Sequence, residues 1–160
     1  MTTESFISFK NVGFRQFEQR YLSPVSQSVT PIGIKTPVSF GNSSEGLFAM
    51  NYTLEDQIND NLKSLIKTNH GERVVLYDYG ANLQPLATEY SNKENYTTDA
   101  MERINTCVAK YMPFIQLEGF RAEPRYNDNQ YVGVIDNYLV YSVPRVNINS
   151  KTLVVRIFAI

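Results

Sequence analysis

Pro113 separates two incompatible hydrophobic patterns, and that boundary limits the fold more than any other feature of the chain. Upstream of it apolar residues recur at intervals of three and four; downstream they alternate. The last helical pattern covers residues 98–111, with Met101, Ile104, Val108 and Tyr111 on one face. It must stop there because the residue before a proline avoids helical angles. An earlier helix begins at Thr53, an N-cap with Asp56 three residues on, close to a capping box. Leu54, Ile58, Leu62, Leu65 and Ile66 form its buried stripe, and Asn69-His70-Gly71 supplies a left-handed stop. Beyond Pro113, Ile115-Gln116-Leu117-Glu118 alternates as a half-buried strand does. Two hairpins are then predicted. One turns at Asp136-Asn137 between residues 132–135 and 138–143; the other turns at Asn149-Ser150-Lys151 between 146–148 and 153–160. Helices followed by strands give an α+β fold: two principal helices packed on a largely antiparallel sheet.

The remaining segments are weaker in pattern. Residues 1–30 read as an N-terminal arm ahead of a domain at 31–160. Phe14, Phe17 and Tyr21 fall at helical spacing, and Ser23-Pro24 and Thr30-Pro31 then break the chain. Such an arm either docks on another protein or folds back on its own core. Residues 33–40 permit only an edge strand because of Pro37, and a turn follows at Gly41-Asn42-Ser43-Ser44. Arg73-Val74-Val75-Leu76-Tyr77 is expected to be a short strand ended by Asp78-Tyr79-Gly80. Residues 82–90 have room for a turn or two of helix, interrupted by Pro85. The run 152–160 is apolar to its end, so it must be tied into a sheet, either its own or another chain's.

Composition excludes several functions. The 160 residues carry 15 Lys+Arg against 16 Asp+Glu, with no basic cluster, which argues against binding nucleic acid by phosphate neutralisation. Only 19% of residues are charged, while 11 Tyr and 9 Phe either fill the core or line protein contacts. No secretory signal and no run of ~20 apolar residues is visible, so no membrane is expected and assembly is placed in the cytosol. The Asn-x-Ser/Thr triplets at Asn42, Asn51 and Asn95 are accordingly surface sequence. A single cysteine, Cys107, and a single histidine, His70, leave zinc sites short of ligands. Cys107 lies near a helical stripe and reads as a small buried apolar residue. No nucleophile elbow or phosphate loop is present, and Asn127-Asp128-Asn129 reads as a solvated loop. Glu45, Glu72, Glu89 and Asp78 could pair for glycoside hydrolysis, but nothing in their spacing calls for it. The expectation is no catalytic residue, no cofactor and no metal.

One ordered set of motifs is more specific. Leu62-Lys63-Ser64-Leu65-Ile66-Lys67-Thr68-Asn69-His70-Gly71-Glu72-Arg73-Val74-Val75 is followed by Tyr79-Gly80-Ala81-Asn82-Leu83 and then Glu89. This resembles the baseplate wedge and sheath-initiator family of contractile-tailed phages, shared with type VI secretion and contractile injection baseplates. The family's opening pattern matches Ile32-Gly33-Ile34-Lys35-Thr36-Pro37, its second helix and next strand match 98–117, and its closing strand is similar to 152–159. The family-motif positions are thus Gly33, Pro37, Thr68, Gly71, Glu72, Arg73, Gly80, Leu83 and Glu89. The Glu72–Arg73 neighbours are expected to pair locally or across an interface.

The sequence departs from the family where Glu-Pro-Arg should follow the second helix: it reads Met112-Pro113-Phe114. A Glu123-Pro124-Arg125 triplet occurs later, either by coincidence or as a displaced substitute. The stretch 121–148 reads as an insertion for an additional neighbour. The resemblance implies a structural, non-enzymatic virion component of the tail baseplate. Wedge-partner contacts would use Tyr111, Met112, Pro113 and Phe114 with Phe14, Phe17 and Tyr21 of the arm. Sheath contacts would use Leu153, Val154, Val155, Arg156, Ile157 and Phe158, initiating sheath polymerisation by strand addition. Expected partners are other baseplate wedge proteins and the tail sheath protein, with tube or hub proteins as further neighbours. The alternatives are the equivalent subunit of a bacterial type VI secretion or contractile injection system, and a small lysozyme-like hydrolase.

Overall fold

The computed structural model describes residues 30–41, 46–89, 93–127 and 130–159, so the arm residues Phe14, Phe17 and Tyr21 lie outside it. Two short strands come first, β1 (Gly33–Ile34) and β2 (Met50–Asn51), paired antiparallel. Helix α1 (Leu54–Lys67) starts as its sequence requires, with the Thr53 hydroxyl accepting the Asp56 N–H at 3.1 Å. Ile58, Leu62, Leu65 and Ile66 are its buried residues; Leu54 is exposed. The helix ends differently from expectation. Thr68 is the cap in an extended conformation, and its N–H and hydroxyl both donate to the Ser64 carbonyl. That satisfies a last-turn acceptor without a left-handed glycine, and Gly71, at φ 84°, shapes the following turn instead.

Residues 73–77 form no strand: they are turns and bends in a loop between α1 and α2 (Leu83–Glu89). Pro85 sits in the first turn of α2, where an N–H has no intrahelical acceptor, so it does not interrupt the helix. Helix α3 (Lys93–Tyr111) begins earlier than residue 98. Its buried residues are Tyr96, Ala100, Ile104, Cys107 and Val108, while Met101 is half-exposed. Adjacent helical positions differ by about 100°, so basing the stripe on Met101 instead of Ala100 rotates it off the core.

The second sheet contains β3 (Gln116–Asn127), β4 (Gln130–Val143) and β5 (Ile148–Phe158), antiparallel in the order β3-β4-β5. With three helices and two antiparallel sheets the fold is α+β. Helix α3 packs against β3, and α1 and α2 against β5. Leu139, Tyr141, Val143, Leu153 and Val155 meet the helices' stripes in one core. Among the described residues no helix is long and apolar enough to cross a membrane.

Both predicted hairpin turns are corrected. Asp136 and Asn137 lie mid-strand in β4, paired with Glu123 and Ala122 on one side and Arg156 and Val155 on the other. The hairpin closes farther out, where Asn127 pairs with Gln130. Asn149-Ser150-Lys151 belongs to β5; the β4–β5 connection is a 3-10 turn at Pro144–Val146 closed by Asn147 in the left-handed region. The stretch 121–148 is also no accessory insertion, because it supplies β4, the central strand, with Ile135, Leu139, Tyr141 and Val143 buried.

Candidate functional site

Six family-motif residues, Thr68, Gly71, Glu72, Arg73, Gly80 and Leu83, lie along or at the ends of the α1–α2 loop. Gly80, at φ 111°, lets the loop close against α1: a Cβ there would overlap the Thr68 carbonyl oxygen. Asn82 N–H donates to that same carbonyl at 3.3 Å, and Ala81 N–H to Leu65 O at 3.3 Å. Leu83 is wholly buried beside them. Glu72 and Arg73 do not pair with each other among the described residues. Glu72 accepts from the Asn69 backbone and side chain at 2.9 and 2.8 Å. Arg73 lies 4.0 Å over the Tyr79 ring. Gly33 sits in β1 against the Gln57 side chain, Pro37 is exposed on the segment beyond β1, and Glu89 is exposed at the end of α2.

This base holds up an apolar loop in solvent. Val74 and Val75 are 93% and 94% exposed, and Tyr77 and Leu76 are exposed as well. Val75 takes φ 79°, a strained value for a β-branched residue. Asp78 ties the loop to the end of α3 through an ion pair with Lys110 and the Tyr111 hydroxyl, which donates at 2.9 Å. Lys110 and Tyr111 hold the Asp78 carboxyl below its usual range. Tyr79 and Tyr111 complete the clamp with ring centroids 4.9 Å apart.

The positions expected to meet other proteins divide into buried and exposed sets. Met112 is buried in the core, so it cannot serve as a partner contact; Tyr111 is half-buried in the clamp, and Pro113 and Phe114 are exposed just beyond α3. In β5, Leu153, Val155 and Ile157 face the helices and are buried. Of the six expected sheath contacts, only Val154, Arg156 and Phe158 present side chains outward, because neighbours on a strand alternate. Among the described strands β5 pairs with β4 alone, which leaves its second edge open.

The outer face of this sheet, opposite the helices, carries a charge cluster that sequence reading missed. Asp136, only 4% exposed, receives Arg125 Nε at 2.6 Å and Arg156 Nε at 2.9 Å, one on each carboxylate oxygen. Burial pushes its carboxyl up, but the two guanidiniums outweigh that and hold it below the ordinary range. Arg125 of the Glu123-Pro124-Arg125 triplet is thus employed in strand-to-strand pairing. The alternating partners across three strands become readable only with the register known.

A cleft of about 720 Å³ lies between the loop and α3, lined in part by His70, Asp78, Asp99, Glu102 and Arg103. His70 Nε2 is 3.2 Å from the Gly80 carbonyl, and Arg103 donates to Asn82 O at 2.7 Å. Cys107 on its wall is pushed up to about 12 by burial, which leaves it a thiol and a poor nucleophile. No group of three or more His, Cys, Asp or Glu able to hold a metal occurs among the described residues.

The described residues thus form a helical layer on an antiparallel sheet, with a braced apolar loop beside it. The sequence profile of the baseplate wedge protein gp25 family matches residues 52–144, over half of the chain, and the chain belongs to that family. No curated protein matches it. The fold is similar to the crystal structure of a protein designated a tail lysozyme from Geobacter sulfurreducens, at 20% identity and TM-score 0.57. That alignment covers 68% of this chain and 93% of the other. It is also similar to a chain of the anti-feeding prophage baseplate seen by cryo-electron microscopy, at 14% identity and TM-score 0.56, covering 71% and 86%. The family assigns the chain a structural role in a contractile-tail or contractile-injection baseplate.

Proposed function

We propose that this protein is a non-enzymatic wedge subunit, an arm at 1–30 followed by a domain at 31–160, that anchors to other wedge proteins and starts the sheath. The open edge of β5 carries this reading. A sheath strand added there gains backbone hydrogen bonds, with Val154 and Phe158 beside it as side-chain contacts. Left uncovered, such an edge invites self-association. Wedge contacts fall to Pro113, Phe114 and the loop at 74–77, whose exposed apolar side chains need a partner's cover. Tube or hub proteins are further neighbours. The complete machine is a phage tail, built in the host cytoplasm, with a bacterial injection system as the alternative setting.

Deleting residues 152–160 would remove core residues Leu153, Val155 and Ile157 along with the edge. The double substitution Val154→Lys with Phe158→Lys guards the edge and spares the core. Baseplates carrying it are expected to assemble and to lack extended sheath by electron microscopy. Sheath of normal length on these baseplates would overturn the strand-addition reading. Asp78 on the cleft wall is held ionised by Lys110 and Tyr111, the opposite of a general acid's requirement.

A further inference from the structure

Asp136 is a single covered carboxylate that receives two guanidiniums. One arginine would balance its charge; the second leaves a surplus. Glu123 stands directly opposite Asp136 in the β3–β4 register, but its carboxylate is 3.3 Å from Arg121 Nε. Arg121, Arg125 and Arg156 against Glu123 and Asp136 therefore leave one positive charge on this part of the face. Arg125 and Arg156 each reach Asp136 through Nε, and their Nη groups have no partner among the described residues. Both side chains stay about half-exposed, at 51% and 45%. Two planar donor groups are thus anchored on one carboxylate through Nε, with their outer N–H groups unpartnered among the described residues. That arrangement suits a second carboxylate, which a guanidinium's fork matches in shape as well as charge.

The surroundings select the kind of molecule. Val154 and Phe158 flank Arg156 on the same face of β5, both exposed. Apolar neighbours on alternate positions fit an extended peptide, whose side chains share that spacing. One surplus charge is too little for a nucleic acid, which needs several phosphates neutralised. We propose that Arg125 and Arg156, organised by Asp136, form a receptor for an acidic side chain on a protein segment that lies along β5. The position of that segment rests on the strand-addition reading above; the carboxylate chemistry does not.

The test uses the full-length protein, labelled with nitrogen-15, and three probes: the peptide acetyl-Thr-Val-Asp-Val-Thr-amide, its Asn counterpart and inorganic phosphate. The Asp peptide is expected to shift the Arg125 and Arg156 Nε–H resonances and to bind roughly 10–100-fold tighter than the Asn peptide, the range for charge-assisted hydrogen bonds. Equal binding of the two peptides, or arginine shifts produced by phosphate alone, overturns the proposal. Arg125→Gln and Arg156→Gln each leave Asp136 one partner, and both are expected to lose the discrimination while keeping the native circular dichroism spectrum. Discrimination retained in both variants overturns it, and if either variant unfolds, the wild-type comparison decides. Should the Lys-guarded baseplates above extend normal sheath while the Asp peptide still discriminates, the strand-addition reading fails and the receptor stands.

Discussion

Residues 74–77 are apolar and stand in solvent, while Asp136 and Asn137 are polar and covered on every side. The difference lies in which partners the fold brings to each. Asn137 receives the Tyr96 hydroxyl at 3.2 Å, from 41 residues away, and donates to Val155 O at 3.4 Å. Asp136 receives arginines from both neighbouring strands. Buried polar groups are stable when every one is bonded. The valines have no such constraint. Gly80 and the Asp78 clamp determine where the loop goes, and its apolar tip is left without cover in the isolated chain. Polarity alone therefore does not assign a segment to the interior; the supply of partners does.

The strongest way to break this contrast is at Asp136. Asp136→Asn is expected to cost about 3 kcal/mol in urea unfolding, the low end for breaking a buried pair, because the half-exposed guanidiniums can turn to water. The same carboxylate has a pH signature. Its folded pKa is depressed, so its contribution is present above the unfolded value near ~3.9 and is lost as pH falls through the folded one. As pH falls from the unfolded value toward the folded one, wild type should accordingly lose stability faster than Asp136→Asn, and parallel acid limbs for the two proteins would contradict the pairing. A smaller loss is expected from Asn137→Ala, about 1–3 kcal/mol for removing the amide that bonds the Tyr96 hydroxyl and the Val155 carbonyl. Tyr96→Phe, which deletes the other partner, should be less than additive with it in a double-mutant cycle. The smallest effect sharpens the comparison from the opposite side. Val74→Ser with Val75→Ser should alter stability by no more than about 0.5 kcal/mol, yet reduce incorporation into baseplates, measured by co-sedimentation. A large loss of stability would mean the loop is packed after all.

Much of the helical framework could be read directly. Thr53 and its Asp56 partner mark the start of α1, and the stripe Ile58, Leu62, Leu65, Ile66 is buried as its spacing requires. These signals are local, set within one or two turns of helix. The family was legible for a related reason: Thr68, Gly71, Gly80 and Leu83 serve one small construction, the closing of a loop against its helix, which demands those residues at those intervals. The sheet was harder. Asp136-Asn137 and Asn149-Ser150-Lys151 have turn composition, and only their cross-strand partners explain why they lie in strands. Met112 likewise read as a surface contact because its burial depends on elements far along the chain.

By itself, then, the sequence determined the α+β division at Pro113, the N-cap and most of the stripe of α1, and the ordered motif that carries the family. Tertiary structure alone decided that β5 is an edge strand, that half of its proposed contact residues are turned inward, and that three strands bring Arg125, Asp136 and Arg156 together. The physical reason is range. Helical periodicity, capping and glycine turns depend on neighbours a few residues apart, whereas strand order, register and burial depend on which distant segments meet, and no single segment contains that information.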